Sequence, residues 1–551
     1  MRKSDDREYE MQEFWIDVGG TFTDVLMRSP DGTITTFKTL SSGITKGSLA
    51  TRLTGRRFCD PLRVGDPADF WQGYQFKLYD STGKLIARSA IASFDVERGE
   101  LELTDELPEL LTTGATYELY GGEESPILSV RFLLGLPLDE PIPPVIVKLG
   151  TTRGTNALLT RSGARTAFVT TAGFGDILKI GNQDRPRLFD LNIQKPEPLF
   201  EQVAEINERM TVEGDVLISP QSETVRAQLE ELKSKGIESV AICLMHAFAN
   251  SSHEELIEKI ARQVGFEEIS RSSQLSPLIK IISRGDTTVV DAYLNPVLKD
   301  YVARLRSSLG DSRLQLMTSA GGLVNAAHFS GKDSILSGPA GGVVGFSEVG
   351  LQAGFTKSIG FDMGGTSTDV SRFEGTFEHE FETRKAGVRI VAPMLAIETV
   401  AAGGGSICDF DGVKLHVGPD SAGADPGPAC YGAGGPLTVT DVNLYLGKIL
   451  PRYFPFQLNL EIVEQKLQEI CDRIAASPLG KIYTPEELAT GFQQIANANM
   501  VRAIRNISVA KGYDPSEYAL ISFGGAGGQH ACALARLLGM RDIVIHPTLE
   551  S

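Results

Sequence analysis

The octapeptide Asp17-Val18-Gly19-Gly20-Thr21-Phe22-Thr23-Asp24 returns 345 residues later as Asp362-Met363-Gly364-Gly365-Thr366-Ser367-Thr368-Asp369, with six of eight positions identical. Each copy follows an apolar run, Phe14-Trp15-Ile16 or Ser358-Ile359-Gly360-Phe361, and precedes another, Val25-Leu26-Met27 or Val370-Ser371. Short apolar runs bounded by glycines read as strands, so each octapeptide turns one strand back onto the next. Pro30-Asp31-Gly32 and Glu374-Gly375 supply the following turns, and each copy heads a small antiparallel meander.

Paired glycines let backbone N–H groups approach a polyphosphate, threonines add hydroxyls, and a leading aspartate suits magnesium or its waters. The expected grip on nucleotide is therefore Asp17, Gly19, Gly20, Thr21 and Thr23 in the first copy and Asp362, Gly364, Gly365 and Thr366 in the second, with both copies holding one polyphosphate. No G-x-x-x-x-G-K-[ST] run is present, and no strand leads into a full G-x-G-x-x-G that opens a helix. The loops are a nucleotide grip without a lysine.

A formal net charge of −17 over 551 residues argues against an electrostatic hold on nucleic acid or an anionic membrane. Residues 1–11 read as a polar tail without the apolar centre of a signal peptide, and no stretch is long enough to span a bilayer. A cytoplasmic protein is expected. Six cysteines without C-x-x-C spacing read as reduced thiols rather than a zinc site.

From about residue 56 to 124 the texture changes to alternating, aromatic-rich segments such as Phe76-Lys77-Leu78-Tyr79 and Tyr117-Glu118-Leu119-Tyr120, which predict a β-rich insertion. After a proline-rich connector, strand, loop and helix alternate, and the class is α/β. Three further glycine sites stand out: Ser337-Gly338-Pro339-Ala340-Gly341-Gly342, Gly403-Gly404-Gly405, and Gly524-Gly525-Ala526-Gly527-Gly528 before a helix over residues 529–538. The last two are expected to face nucleotide, since glycine-rich helix N-termini accept anions and a flat base. His246 and His253 lack the spacing of a helical metal pair and read as core or capping residues, while His530 starts the helix after the last glycine loop.

Two Asp-x-Gly-Gly-Thr loops with a late Gly-Gly-x-Gly resemble the nucleotide-binding pattern of the actin, heat-shock-70 and sugar-kinase superfamily. Finer matches resemble the hydantoinase/oxoprolinase family: the two octapeptides, Gly150-Thr151-Thr152 with Thr155-Asn156-Ala157-Leu158-Leu159, Ser337 to Gly342, Val400 to Ser406, Gly427-Pro428-Ala429-Cys430-Tyr431, and Phe523 to Cys532. The resemblance implies two ribonuclease-H-like lobes with a β-rich insertion in the first. The expected domains are a first lobe over residues 12–195 and a hydantoinase A-like region over 196–551, C-terminally incomplete. It further implies ATP and Mg2+ as cofactors, with the metal held by Asp17 and Asp362. The implied reaction is hydrolysis of a small cyclic amide, foremost 5-oxo-L-proline to L-glutamate, through phosphorylation of the amide oxygen. Arg153 and Asn156 are placed to meet the substrate carboxylate. A hydantoinase B-like half or subunit is the implied partner, and self-association is expected. An N-methylhydantoinase or ketone-carboxylase subunit is the alternative within the fold, and a nucleotide-gated chaperone or filament module the alternative outside the enzymes.

Overall fold

A computed structural model describes residues 11–49, 51–80, 83–108, 115–183, 189, 191–193, 195–454 and 456–546. Two compact units emerge: Met1–Gly338 with Glu380–Met394, and Pro339–His379 with Leu395–Ser551. The division falls at Gly338, not at residue 195, because the first unit's main sheet takes its last strands from residues beyond 310.

In the first unit, β1 (Glu13–Val18), β2 (Phe22–Arg28) and β3 (Ile34–Leu40) form the expected meander. After an inserted sheet, β4 (Ile146–Thr151) returns parallel to β1. The chain then builds a second layer from β5 (Thr166–Thr171), β6 (Phe200–Ile206), β7 (Ser239–Cys243) and β8 (Glu268–Arg271), all parallel in the order β6-β5-β7-β8. Helix α1 (Ile281–Leu309) leads back to β9 (Arg313–Met317), parallel to β4, and β10 (Leu323–Asn325). The main sheet runs β10-β9-β4-β1-β2-β3.

α1 presents apolar side chains on several faces, including Val289, Val290, Leu294, Leu298, Tyr301 and Leu305, all buried. Residues 287–294, about two turns, are all buried, so this part of α1 is covered on every face. It shares one core with Phe14, Val147 and Leu316 of the main sheet and Phe168 and Ala241 of the second.

The second unit repeats the plan. Helix α2 (Ser337–Gln352) leads into β11 (Lys357–Met363), β12 (Thr368–Glu374) and β13 (Ile397–Val400), and β14 (Ala519–Phe523) returns parallel to β11. Helix α3 (Gly528–Leu538) and the short β15 (Ile543–Val544) complete it, giving the order β13-β12-β11-β14-β15. Both sheets thus share the strand order 3-2-1-4-5 with the first three strands antiparallel, which is the ribonuclease-H-like topology. Helices Leu460–Ala476 and Pro485–Ile507 bury Val463, Leu467, Phe492 and Met500 in this unit's core. The second of these helices starts on a capping box between Thr484 and Glu487.

The insertion is a seven-stranded sheet with its own core of Phe58, Trp71, Tyr74, Phe76 and Tyr117. It begins at Ile44–Ser48, which pairs with Thr116–Tyr120, so its boundary lies before residue 56. The segment Ile44-Thr45-Lys46-Gly47-Ser48 carries no aromatic alternation and gives no strand signal. Gly47 is required there: a Cβ would stand 2.2 Å from the Tyr117 ring.

Candidate functional site

The octapeptides build the same turn twice. Gly19 N–H donates to Phe22 O at 3.0 Å, and Gly364 N–H donates to Ser367 O at 3.1 Å. Each turn leaves Gly20 and Thr21, or Gly365 and Thr366, exposed, and among the described residues their backbone N–H groups meet no acceptor. Such outward donors are suited to phosphate oxygens.

The four-residue turns also fix the hairpin register, so Asp17 lies opposite Asp24 and Asp362 opposite Asp369. Like charges directly across a hairpin oppose folding, and both copies carry the same pairing. Asp17 is accessible within β1, yet its recess withholds much of its hydration. That loss of hydration, with the Asp24 charge added, pushes its pKa up to about 6 against the pull of Lys38. Lys38 Nζ holds Asp24 Oδ1 at 2.6 Å. Magnesium keeps several waters and takes one or two carboxylates besides substrate phosphates, and the Asp17–Asp24 pair matches that demand.

The surroundings of Asp17 are kept free of side chains. A Cβ on Gly150 or Gly338 would lie 3.3 or 3.2 Å from Asp17 Oδ1. Ser337 Oγ accepts the N–H of Thr151 at 3.1 Å, and Thr152 donates to Val18 O through both its N–H and its hydroxyl, at 3.0 and 3.1 Å. The loop after β4 is thereby laced to the end of β1 and to Ser337, which belongs to the first unit. In the second unit Gly524, at φ +78°, is confined by Asp362: a Cβ would fall 2.3 Å from Asp362 Oδ1. Ala526 N–H donates to Met363 O at 2.9 Å, and Gly525 and Gly528 remain exposed beside it.

Several expected ligand residues have other tasks. Thr23 is fully buried, with its hydroxyl 3.0 Å from Ser41 Oγ and 2.8 Å from Ser125 Oγ, because alternation in β2 turns it inward. Gly403, Gly404 and Gly405 are buried beneath the Gly364-Gly365 turn. Gly404 and Gly405 donate to Gly364 O and Gly365 O at 3.0 and 2.6 Å, and Gly403 donates to Ser406 Oγ at 2.9 Å. They brace the loop and offer no donor to a ligand. Gly527 is buried and spends its N–H on Gly524 O. Arg153 is ion-paired to Glu124 and lies over the Tyr301 ring at 4.3 Å, which locks it to α1. Asn156 is exposed, with its amide 4.0 Å from where a Cβ on Gly20 would stand, and it stays beside the first turn.

His530 is buried, with Nδ1 2.7 Å from Asn497 Oδ1 and Nε2 2.9 Å from Asn443 Nδ2. Burial pushes its pKa down to about 4, with Lys448 adding to the shift, so it is a neutral structural residue in the first turn of α3. His253 is buried against Glu208 at 2.6 Å, a core role. Asp24, Asp369, Ser337 and Thr152 were missed as site residues. The last position of each octapeptide was the available signal for the two aspartates.

The two matched sheets, each with its phosphate-type turn at the end of the first strand, place the fold in the actin, heat-shock-70 and sugar-kinase superfamily. The hydantoinase/oxoprolinase profile matches residues 284–551, and the hydantoinase/oxoprolinase N-terminal region matches residues 111–265. The chain belongs to the hydantoinase/oxoprolinase family. It is 43% identical over 472 residues to the 5-oxoprolinase of Saccharomyces cerevisiae, covering 77% of this chain and 37% of the yeast protein. The chain thus spans little more than a third of that relative's length. Among solved structures, the ATP-dependent caprolactamase from Pseudomonas jessenii superposes with a TM-score of 0.70 at 26% identity, covering 98% of this chain and 69% of that one. A nucleotide-free acetone carboxylase superposes with a TM-score of 0.67 at 21% identity, covering 97% and 68%, and shows the fold alone.

Proposed function

We propose that this chain is the ATP-using half of an enzyme that opens a cyclic amide, with 5-oxo-L-proline converted to L-glutamate. The observation that carries the reading is the doubled turn with outward N–H donors and a facing carboxylate pair, in a chain 43% identical to a 5-oxoprolinase over most of its length.

A lactam resists water because nitrogen donates into its carbonyl. Phosphorylating the carbonyl oxygen removes that resistance: water adds to the carbon, the ring C–N bond breaks as the nitrogen takes up a proton, and a second water cleaves the resulting acyl phosphate to carboxylate and free phosphate. The chain's part in this chemistry is positioning and charge neutralisation. The N–H groups of Gly20, Thr21, Gly365 and Thr366 hold phosphate oxygens, Asp17 with Asp24 and Asp362 with Asp369 hold magnesium and its waters, and Gly525 and Gly528 keep the α3 N-terminus open to the nucleoside. Magnesium, when bound, neutralises phosphate charge. A hydantoinase B-like partner completes hydrolysis, and the assembly is oligomeric and works in the cytoplasm.

The test mixes this chain with a hydantoinase B-like partner and measures phosphate release from ATP against 5-oxo-L-proline, hydantoins and ketones. Stimulation by 5-oxo-L-proline with L-glutamate formed supports the reading. Stimulation by a hydantoin or a ketone alone moves the assignment to the corresponding alternative.

A further inference from the structure

The first unit holds a cavity of about 310 Å³ away from the glycine turns, lined by Leu178, Asn182, Lys195, Val289, Arg384 and Arg389 among others, with Asp286 in its wall. Part of the wall arrives on an arm: the hairpin of Thr383–Lys385 and Val388–Ile390 leaves the second unit's meander and packs in the first. Ile390 is fully buried in that core, Val391 N–H donates to Thr287 Oγ1 of α1 at 2.8 Å, and Gly387, at φ +78°, lies against Pro196.

The arm brings two guanidinium groups to the mouth of the cavity. Arg389 is held by Glu382 at 3.1 Å. Arg384 is exposed. Asp286 is one turn into α1 and only partly exposed, and its carboxylate accepts no hydrogen bond among the described residues. Burial pushes its pKa up to about 7, although Arg389 and Arg384 pull it down and Glu382 adds to the rise. Lys179 and Lys195 add positive charge, Glu197 adds negative, and Leu178, Val289 and Val388 supply an apolar wall. A cavity of this size suits a small molecule. Its two poles ask for a carboxylate at the arginines and an N–H donor at Asp286. On α1 the cavity lies about four turns, roughly 22 Å, from Tyr301 and the Arg153 that covers it.

We propose that this cavity is a small-molecule site separate from the first nucleotide turn, and that it takes a carboxylate bearing nitrogen on the adjacent carbon, either 5-oxo-L-proline or L-glutamate. The choice of these two compounds rests on the proposed function.

Calorimetric titration of the whole chain without nucleotide tests it. Either compound binds saturably, one per chain, and the tighter of the two identifies lactam or product as the occupant. Cyclopentanecarboxylate, which has no N–H, binds about tenfold more weakly. Arg384→Gln and Asp286→Asn each lower affinity about tenfold, Asp286→Asn also abolishes the preference over cyclopentanecarboxylate, and Mg·ATP affinity stays as in the wild type. Absence of saturable binding, or wild-type binding in both variants, overturns the site. Carboxylate binding without Mg·ATP binding counts against the proposed function and leaves this site standing, and the reverse outcome counts against this site alone.

Discussion

The facing carboxylates are where residue chemistry and function meet. Asp17→Asn keeps size and shape while removing the charge that suits magnesium, and Asp362→Asn does the same in the second copy. Each variant is expected to fold as the wild type by circular dichroism and to lose magnesium-dependent ATP turnover on the order of 100-fold, the scale of losing one fixed electrostatic group at a reacting phosphate. Wild-type turnover in either folded variant removes that aspartate from the site. Asp286 makes a different prediction. Its folded pKa, about 7, stands above the unfolded value near 3.8, so its contribution is fully present below pH 4 and is lost as pH rises through 7. Asp286→Asn should therefore stabilise the protein at pH 8, by up to about 4 kcal/mol, with the gain shrinking toward zero near pH 4. Chemical denaturation at both pH values checks it, and an equal gain at both contradicts the account. Thr23 and Arg153 show the limit of reading residues singly. Their types suit a ligand, but strand alternation and the Glu124–Tyr301 clasp assign them elsewhere.

Among the elements, the meanders were legible because short-range signals write them. Apolar runs, paired glycines and the next turn lie within two dozen residues, and the observed strands follow that pattern. The Gly524 loop was legible for the same reason, and its conformation makes it testable. Gly524→Ala must place a Cβ at positive φ and 2.3 Å from Asp362 Oδ1, so a loss of about 1–3 kcal/mol in stability is expected together with weaker nucleotide binding. An unperturbed melting curve and ATP isotherm would show that the loop is not so confined. Pairings between distant segments were not legible. Nothing local in residues 380–394 says that this arm joins the first unit, and nothing in residues 44–48 says that they pair with residues 116–120. The insertion therefore gives a paired test. Excising residues 44–120 removes the inserted sheet whole, uncovering Leu128, Phe132 and Leu138 that pack against it, and the remainder should fold and bind ATP. Excising residues 56–124 orphans the strand at Ile44–Ser48 and removes Glu124, which holds both Arg153 and Arg304, so that protein should aggregate or melt earlier. The opposite ranking of the two deletions by thermal midpoint contradicts the boundary.

At the scale of the whole molecule, one topology occurs twice and carries one octapeptide twice, and the duplication of fold and motif together makes nucleotide handling the economical explanation. Each copy repeats the turn, the cross-strand carboxylates and the parallel return strand beside the first. Two glycine hairpins serving only as tight turns would have no use for aspartates facing one another in both. The most direct measurement is an equilibrium titration of Mg·ATP into the wild type, Asp17→Asn and Asp362→Asn. The account predicts one nucleotide per wild-type chain and loss of that binding in each variant. Two nucleotides per chain, or full-affinity binding after either substitution, would contradict it.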